Sequence, residues 1–418
     1  MLEPMQIRAH FPALARTFNG KSLVYFDGPG GTQVTQSCID GMTAYLTRCN
    51  ANHGGAFISS VESDVIVAAA HEAMADFLNA RLNSEVFFGQ NMTSLTFAFS
   101  RAIGRTLHPG DEIILTYLDH DANFSPWRLM AEDRGVKVNV VAVDPADCTL
   151  RMSDFDRYLN SNTKLVAVGY ASNAVGTINP VKEIVRLAKS VGALTYIDAV
   201  HYAPHGPINV QDIGCDFLAC SPYKFFAPHL GVVYARQELL DQLTAYKVRP
   251  ADNRPPWKWE TGTQSHESLA GLVGTMQYLE WLGTTHGRAE SGSYRSERSA
   301  LLHAAMRAIQ THEAALKAQM LDGLMALPRT RLYGITAHNR LDERVPTFAI
   351  RMEGHPPLEI AQFLAERAIA VWSGNYYALN LTEQLGVEDT GGMVRIGIAH
   401  YNTAEEIDRL LADLSSIA

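Results

Sequence analysis

The chain has 418 residues, enough for two domains, and its 47% apolar and 19% charged composition excludes a disordered or fibrous protein. Lys plus Arg number 35 against 44 Asp plus Glu, a net charge of −9 without basic clusters, so neither nucleic acid nor an anionic membrane is an expected partner. No apolar run reaches the roughly 18 residues of a spanning helix, and Met1–His10 lacks the basic flank and apolar core of a secretory signal, so a cytoplasmic location is expected.

Along the first two-thirds, short apolar runs alternate with helical patterns. The predicted strands are Val86–Phe88, Glu112–Thr116, Val138–Val143, Leu165–Gly169, Leu194–Asp198, Phe217–Cys220 and Gly231–Ala235. Most are almost continuously apolar, as parallel strands covered on both faces should be. After Leu165–Gly169, Asn179-Pro180 reads as an N-cap followed by proline at the first helical position. Val181, Ile184, Val185 and Ala188 then keep helical spacing, and Gly192 suits the helix end. This βαβ rhythm predicts an open, mostly parallel sheet with helices on both faces.

The rhythm loosens after about residue 240. Lys247–Trp259 reads as a loop rich in proline, tryptophan and charge. Long helices are expected near 265–282 and 292–326. Strands near Thr330–Ile335, Thr347–Arg351 and Met393–Ile398, with helices near 358–368 and 404–415, predict a smaller C-terminal α/β domain. The last helix opens on a capping box, Thr403 with Glu406.

Open parallel sheets bind ligands outside the carboxyl ends of their strands, so the residues that follow each strand are the candidates. After Val86–Phe88, the small polar run through Met92 and Thr93 opens a helix to about Leu107, and free N–H groups there suit a phosphate. Ordinary capping by Asn91 or Thr93 is the alternative. After Glu112–Thr116, His120 can lie on a flat ring, move a proton, or simply bond a neighbouring carboxylate. Asn173 follows Leu165–Gly169 and can donate to an aromatic oxygen or make an Asx turn. Asp198 ends a buried strand and needs a partner that favours its charge: a pyridinium nitrogen or a backbone cap. Lys224 lies among Pro222, Tyr223, Phe225 and Phe226, where loss of water favours the neutral amine, a nucleophile for a Schiff base. Gly262 and Thr263 precede a helix and form a second candidate phosphate cradle. Each signal is weak alone. An acid for a pyridinium, a lysine for an aldehyde, a stacking imidazole, a donor for a phenolate and several phosphate donors together describe pyridoxal 5′-phosphate.

With these residues in place, the sequence resembles the class V aminotransferase family of fold-type I enzymes, in its cysteine desulfurase-like branch. The resemblance runs from Val24-Tyr-Phe-Asp-Gly-Pro-Gly-Gly-Thr32 to Arg395-Ile-Gly-Ile-Ala-His-Tyr-Asn-Thr403. It implies a seven-stranded, mostly parallel sheet plus the small domain. Residues 1–22 would pack with the small domain, 23–290 form the large cofactor domain, and 291–418 the small one. It implies Lys224 as the Schiff-base lysine, Asp198 as the acid at the pyridine nitrogen and His120 as the ring-stacking imidazole. Asn173 and His201 would lie by the ring oxygen, with His201 in a position usually held by glutamine. Thr93 and Ser221 would hold the phosphate, joined by Thr263 of a second copy, which implies a homodimer. Tyr223 replaces a family histidine beside the lysine. Arg395 would bind the substrate α-carboxylate, a task suited to its fork of donors.

The resemblance breaks in one loop. Where such desulfurases carry an arginine, then Gly-His-His and the catalytic cysteine, this chain reads Trp372-Ser-Gly374-Asn375-Tyr376-Tyr377. Trp372 replaces the arginine, Asn375 and Tyr376 the histidines, and Tyr377 the cysteine. The five cysteines (Cys38, Cys49, Cys148, Cys215, Cys220) lie elsewhere, scattered and without a C-x-x-C pair, so neither a disulfide framework nor a metal site is expected. Tyrosine cannot carry a persulfide. Asn375, Tyr376 and Tyr377 instead become candidate substrate-pocket residues, with the two tyrosines equally readable as core, and His53 resembles a substrate-side histidine. A lyase acting at the β-carbon of an amino acid (C–S or C–C cleavage, or β-decarboxylation) is the expected activity. Transamination, epimerisation and a non-catalytic scaffold are the alternatives, the last opposed by the joint presence of Lys224, Asp198, His120 and Arg395.

Overall fold

The computed structural model describes residues 2–288 and 292–418. Its main sheet has seven strands: β1 (Val86–Gly89), β2 (Glu112–Thr116), β3 (Lys137–Val141), β4 (Thr163–Gly169), β5 (Leu194–Asp198), β6 (Phe217–Cys220) and β7 (Gly231–Ala235). They lie in the order β1-β7-β6-β5-β4-β2-β3. Only β7 is antiparallel to its neighbours. Successive side chains of a strand point to opposite faces, and here both faces are buried. Phe87, Leu115, Leu165, Tyr196, Phe217 and Val233 enter one core. Their neighbours Phe88, Ile114, Val166, Ile197, Leu218 and Val232 enter the other. Leu95 and Phe99 of α3 (Met92–Gly104) and Trp127 of α4 (Ser125–Arg134) close the first core. The second core takes Ile184 and Val185 of α5 (Val181–Ser190) and Leu272 of α6 (His266–His286). Two earlier helices, α1 (Gln36–Arg48) and α2 (Ile58–Leu78), were not anticipated.

Three expectations are corrected. The strand expected over Val138–Val143 ends at Val141, and Val143–Asp144 pairs separately with Thr149–Leu150. Ala142 breaks it, because its N–H donates to the Asp154 carboxylate and its carbonyl accepts from Arg151. Asn179 does not cap α5. Its amide donates to the Gly169 carbonyl at 2.8 Å, and Pro180 takes the N-cap position with no side-chain bond. The strand expected over Thr330–Ile335 stops at Tyr333, where Gly334 turns to φ +92°. Gly192 does close α5 with φ +78°, and its N–H donates to Lys189.

The C-terminal part carries a four-stranded antiparallel sheet: β8 (Thr330–Tyr333), β9 (Thr347–Met352), β10 (Trp372–Gly374) and β11 (Met393–Gly397), in the order β8-β9-β11-β10. Its helix Ala404–Ser415 has the expected capping box, with Thr403 and Glu406 each accepting the other's N–H. Near the N-terminus, the Arg8 guanidinium donates to the Tyr401 carbonyl and to Glu406, while Ile7 and Phe11 enter the large core. The boundary expected between residues 290 and 291 lies outside the described residues. No helix among the described residues is long and apolar enough to cross a membrane.

Candidate active site

The ends of β1, β2, β4, β5 and β6 converge on two adjoining cavities that share His120, Asn173, Tyr223 and Lys224. The inner one, about 90 Å³, is also lined by Met92, Thr93, Asp198, His201 and Ser221. The outer one, about 600 Å³, reaches Arg395, Tyr376 and Tyr377.

Each inner residue is fixed by local chemistry. Asn91 caps α3 by accepting the Ser94 N–H at 2.8 Å, which turns the Met92–Thr93 start of the helix toward the cavity. Strand β7 crosses so close that a Cβ on Gly231 would lie 2.3 Å from the Asn91 carbonyl carbon, so only glycine allows that crossing. His120 Nδ1 accepts the Ala122 N–H at 3.0 Å, which leaves any ring proton on Nε2. Burial first, then Lys224 and Arg395, push its pKa down to about 4, so the ring is neutral. Asp198 accepts the Val200 N–H at 2.9 Å. Burial raises its pKa to about 6 despite that bond and the nearby Lys224.

Lys224 ends the short turn Pro222–Lys224 after β6. Its ammonium donates to the backbone carbonyls of Pro29 and Gly30, the second at 3.0 Å. Burial, with Arg395 adding to it, lowers its pKa to about 7, while Asp27 and Asp198 oppose the shift. The Tyr223 ring lies 4.9 Å from its Nζ. Among the described residues, four buried polar atoms of cavity-lining side chains have no protein partner: Asn173 Oδ1, Asn179 Oδ1, His201 Nδ1 and Arg395 Nε. Asn173 donates to the Tyr376 carbonyl at 2.9 Å, and His201 Nε2 meets the Thr347 hydroxyl at 2.9 Å.

Arg395 projects from β11 into the outer cavity, 4.5 Å over the Tyr376 ring. It donates to the Asn173 carbonyl at 3.2 Å and to the Asp27 carboxylate at 3.1 Å. Tyr376 is buried, its hydroxyl donating to the Met393 carbonyl, whereas Tyr377 is 73% exposed and stacks on His120 at 5.5 Å.

Not every expected residue arrives. Thr263 is exposed and lines neither cavity. His53 stacks on Trp257 at 5.5 Å, away from both. Asn375 also lines neither, because its amide is held by Glu388 at 2.9 Å. All five cysteines are buried and none lines either cavity. Two residues went unread. Asp27 pairs with Arg395, and Asp119 lines the inner cavity, held by Thr116 and Asn123, with burial raising its pKa to about 7. Asp119 stands one residue from His120 at a strand end, so the reading that found the histidine had the same signal for it.

A sheet of this order with a lysine and an aspartate at adjacent strand ends defines the fold-type I pyridoxal phosphate enzymes. The profile of the family Aminotransferase class-V matches residues 24–306 and 296–410. Cysteine desulfurase of Pectobacterium carotovorum is 32% identical over 99% of this chain and 97% of its own length. Probable cysteine desulfurase 1 of Mycobacterium leprae is 32% identical over 99% of this chain, which spans 65% of that longer protein. The apo cysteine desulfurase of Thermococcus onnurineus superposes with a TM-score of 0.87 at 25% identity, covering 100% of this chain and 98% of that one. The chain belongs to the class V aminotransferase family, in its cysteine desulfurase-like branch. It is accordingly a pyridoxal 5′-phosphate-dependent enzyme.

Proposed function

We propose that the chain is a lyase that cleaves a bond at the β-carbon of an α-amino acid without forming a protein persulfide. The observation that carries this reading is a cavity with the lysine, the buried acid and the arginine of an amino-acid enzyme and no cysteine. Cysteine desulfurase, the name its relatives carry, denotes removal of sulfur from a β-carbon, which supports the bond class.

The cofactor fits the residues present. Asn173 Oδ1 and His201 Nδ1 are buried without partners, as groups awaiting a polar ligand are. When bound, pyridoxal phosphate supplies an electrophilic carbon and a ring that accepts charge from the substrate Cα. Met92, Thr93 and Ser221 would hold its phosphate, with Thr263 reaching from a second copy in a homodimer. Asp198, drawn to its charged form by a cationic ring nitrogen, would keep that nitrogen protonated. His120 would stack on the ring, and Tyr223 would flank Lys224. The Lys224 amine, its pKa lowered to about 7 by burial, would take the Cα proton in its neutral form. Arg395 would hold the α-carboxylate while the Tyr376–Tyr377 turn walls off the reacting face. His53 would reach a substrate only as part of that second copy's interface, and Asn375 would act through Glu388 by fixing the tyrosine turn.

Product analysis of the purified holoenzyme against a panel of amino acids tests this. The expected product lacks the β-substituent. A keto acid that retains it would indicate transamination, an inverted Cα alone would indicate epimerisation, and either would overturn the reading. Absence of any cofactor band after added pyridoxal phosphate would favour a scaffold. Mass spectrometry after incubation with L-cysteine should find no persulfide on any of the five cysteines.

A further inference from the structure

The outer cavity adds information about the substrate side chain. We propose that the substrate is an α-amino acid with an aromatic side chain bearing a hydrogen-bond donor, and that acidic side chains are rejected. This rests on reading the site as an amino-acid pocket with Arg395 at the α-carboxylate.

Charge comes first. The charged groups that face this cavity are Asp27, Asp121, Lys224 and Arg395. Arg395 already shares its guanidinium with Asp27 and the Asn173 carbonyl, and its Nε is left without a partner. Lys224 is committed to the cofactor. A side-chain carboxylate would therefore meet two carboxylates and no free cation, whereas specificity by charge needs the opposite.

The walls come second. Phe97, Tyr223, Trp372, Tyr376 and Tyr377 all line the cavity. Trp372 is paired directly across β10 and β11 with Arg395, so its indole starts one strand away from the carboxylate-binding group. Trp372 is 54% exposed and Tyr377 73% exposed, so both offer ring surface that nothing else in the described chain covers. Offset or edge contacts between rings add stability beyond the area buried. The outer cavity measures about 600 Å³, and bound cofactor would take only the part lined by Thr93, His120 and Lys224, which leaves the aromatic wall to the substrate.

The backbone supports the same use. Tyr376 and Tyr377 have φ of 56° and 60°, conformations that bulky residues seldom adopt. Asn173 holds the Tyr376 carbonyl at 2.9 Å, and the Asp121 N–H holds that of Tyr377 at 2.7 Å. The turn is thus pinned with its rings toward the site, a pattern typical of functional segments. The Asp121 carboxylate lines the same cavity and, among the described residues, accepts only the Ser125 hydroxyl, at 2.8 and 3.0 Å. It has capacity for a ring hydroxyl or amine donor.

The test is a titration of the holoenzyme with L-tyrosine, L-tryptophan, L-phenylalanine, L-alanine, L-cysteine, L-aspartate and L-cysteine sulfinate, read as the change in cofactor absorbance. The aromatic amino acids should half-saturate at concentrations at least tenfold below alanine, and tyrosine and tryptophan should bind better than phenylalanine. Aspartate and cysteine sulfinate should need at least tenfold more than alanine. Tighter binding of either acid, or of cysteine, than of the aromatics would overturn this proposal and leave the amino-acid pocket standing. No response to any amino acid would overturn both. Trp372→Arg, an exposed change on an edge strand, should improve aspartate at least tenfold and weaken tyrosine. An unchanged preference would remove Trp372 from the pocket and the proposal with it.

Discussion

Alanine at Lys224 is expected to abolish the near-visible absorbance of bound cofactor and to lower turnover by about a thousandfold or more, the usual contribution of a positioned base and nucleophile. The amine is buried, and the groups that hold it are the backbone carbonyls of Pro29 and Gly30 rather than a carboxylate. Burial and Arg395 lower its pKa from 10.5 to about 7. Above that pH the folded chain holds the neutral amine, and below it the ammonium. Capture of added pyridoxal phosphate by the cofactor-free protein should therefore speed up as pH rises from about 6 to 8 and then level off. Stopped-flow absorbance reads this directly. A rate still climbing at pH 9.5 would mean that Lys224 keeps the pKa of a solvated lysine. The variant should keep its fold, since losing a buried cation from an apolar setting removes a desolvation cost.

Much of this site was legible because each of its residues on the seven-stranded sheet ends or closely follows an apolar run. Asp198 ends β5, and Met92, His120, Asn173 and Lys224 stand three or four residues beyond β1, β2, β4 and β6, so placing the strands placed the candidates. The rest depends on pairings that local pattern does not encode. Asp27 reaches Arg395 from 368 positions away. The register that sets Trp372 beside Arg395 depends on β10, three residues long and too short to show any periodicity. Helix α2 escaped notice for another reason. Val67, Ala70, His71, Met74, Asp76 and Phe77 are all buried, so no polar stripe marks a period. Asn179 had a cap's position and chemistry, yet the unpaired carbonyl of Gly169 at the end of β4 took its amide. A buried carbonyl needs a donor more than a helix start with proline needs a cap.

Arg395 separates cofactor binding from substrate binding. Arg395→Ala should raise the half-saturating concentration of a substrate amino acid by about 2–3 kcal/mol, roughly 30- to 150-fold, because a buried charge pair with the carboxylate is lost. Cofactor affinity should change by no more than about threefold, since Arg395 lines the outer cavity and not the inner one. The truncation also leaves Asp27 without its 3.1 Å partner, and that carboxylate then faces the incoming one. The double variant Arg395→Ala with Asp27→Asn should thus recover part of the loss, a coupling expected only if both groups share the substrate site. Arg395→Lys keeps the charge but not the fork, so it should fall between the two. Equal losses of cofactor and substrate affinity, without recovery in the double variant, would make Arg395–Asp27 a structural ion pair that joins β11 to the N-terminal segment. Selective loss with recovery would identify Asp27 as the group that holds Arg395 ready, leaving its Nε free for the carboxylate.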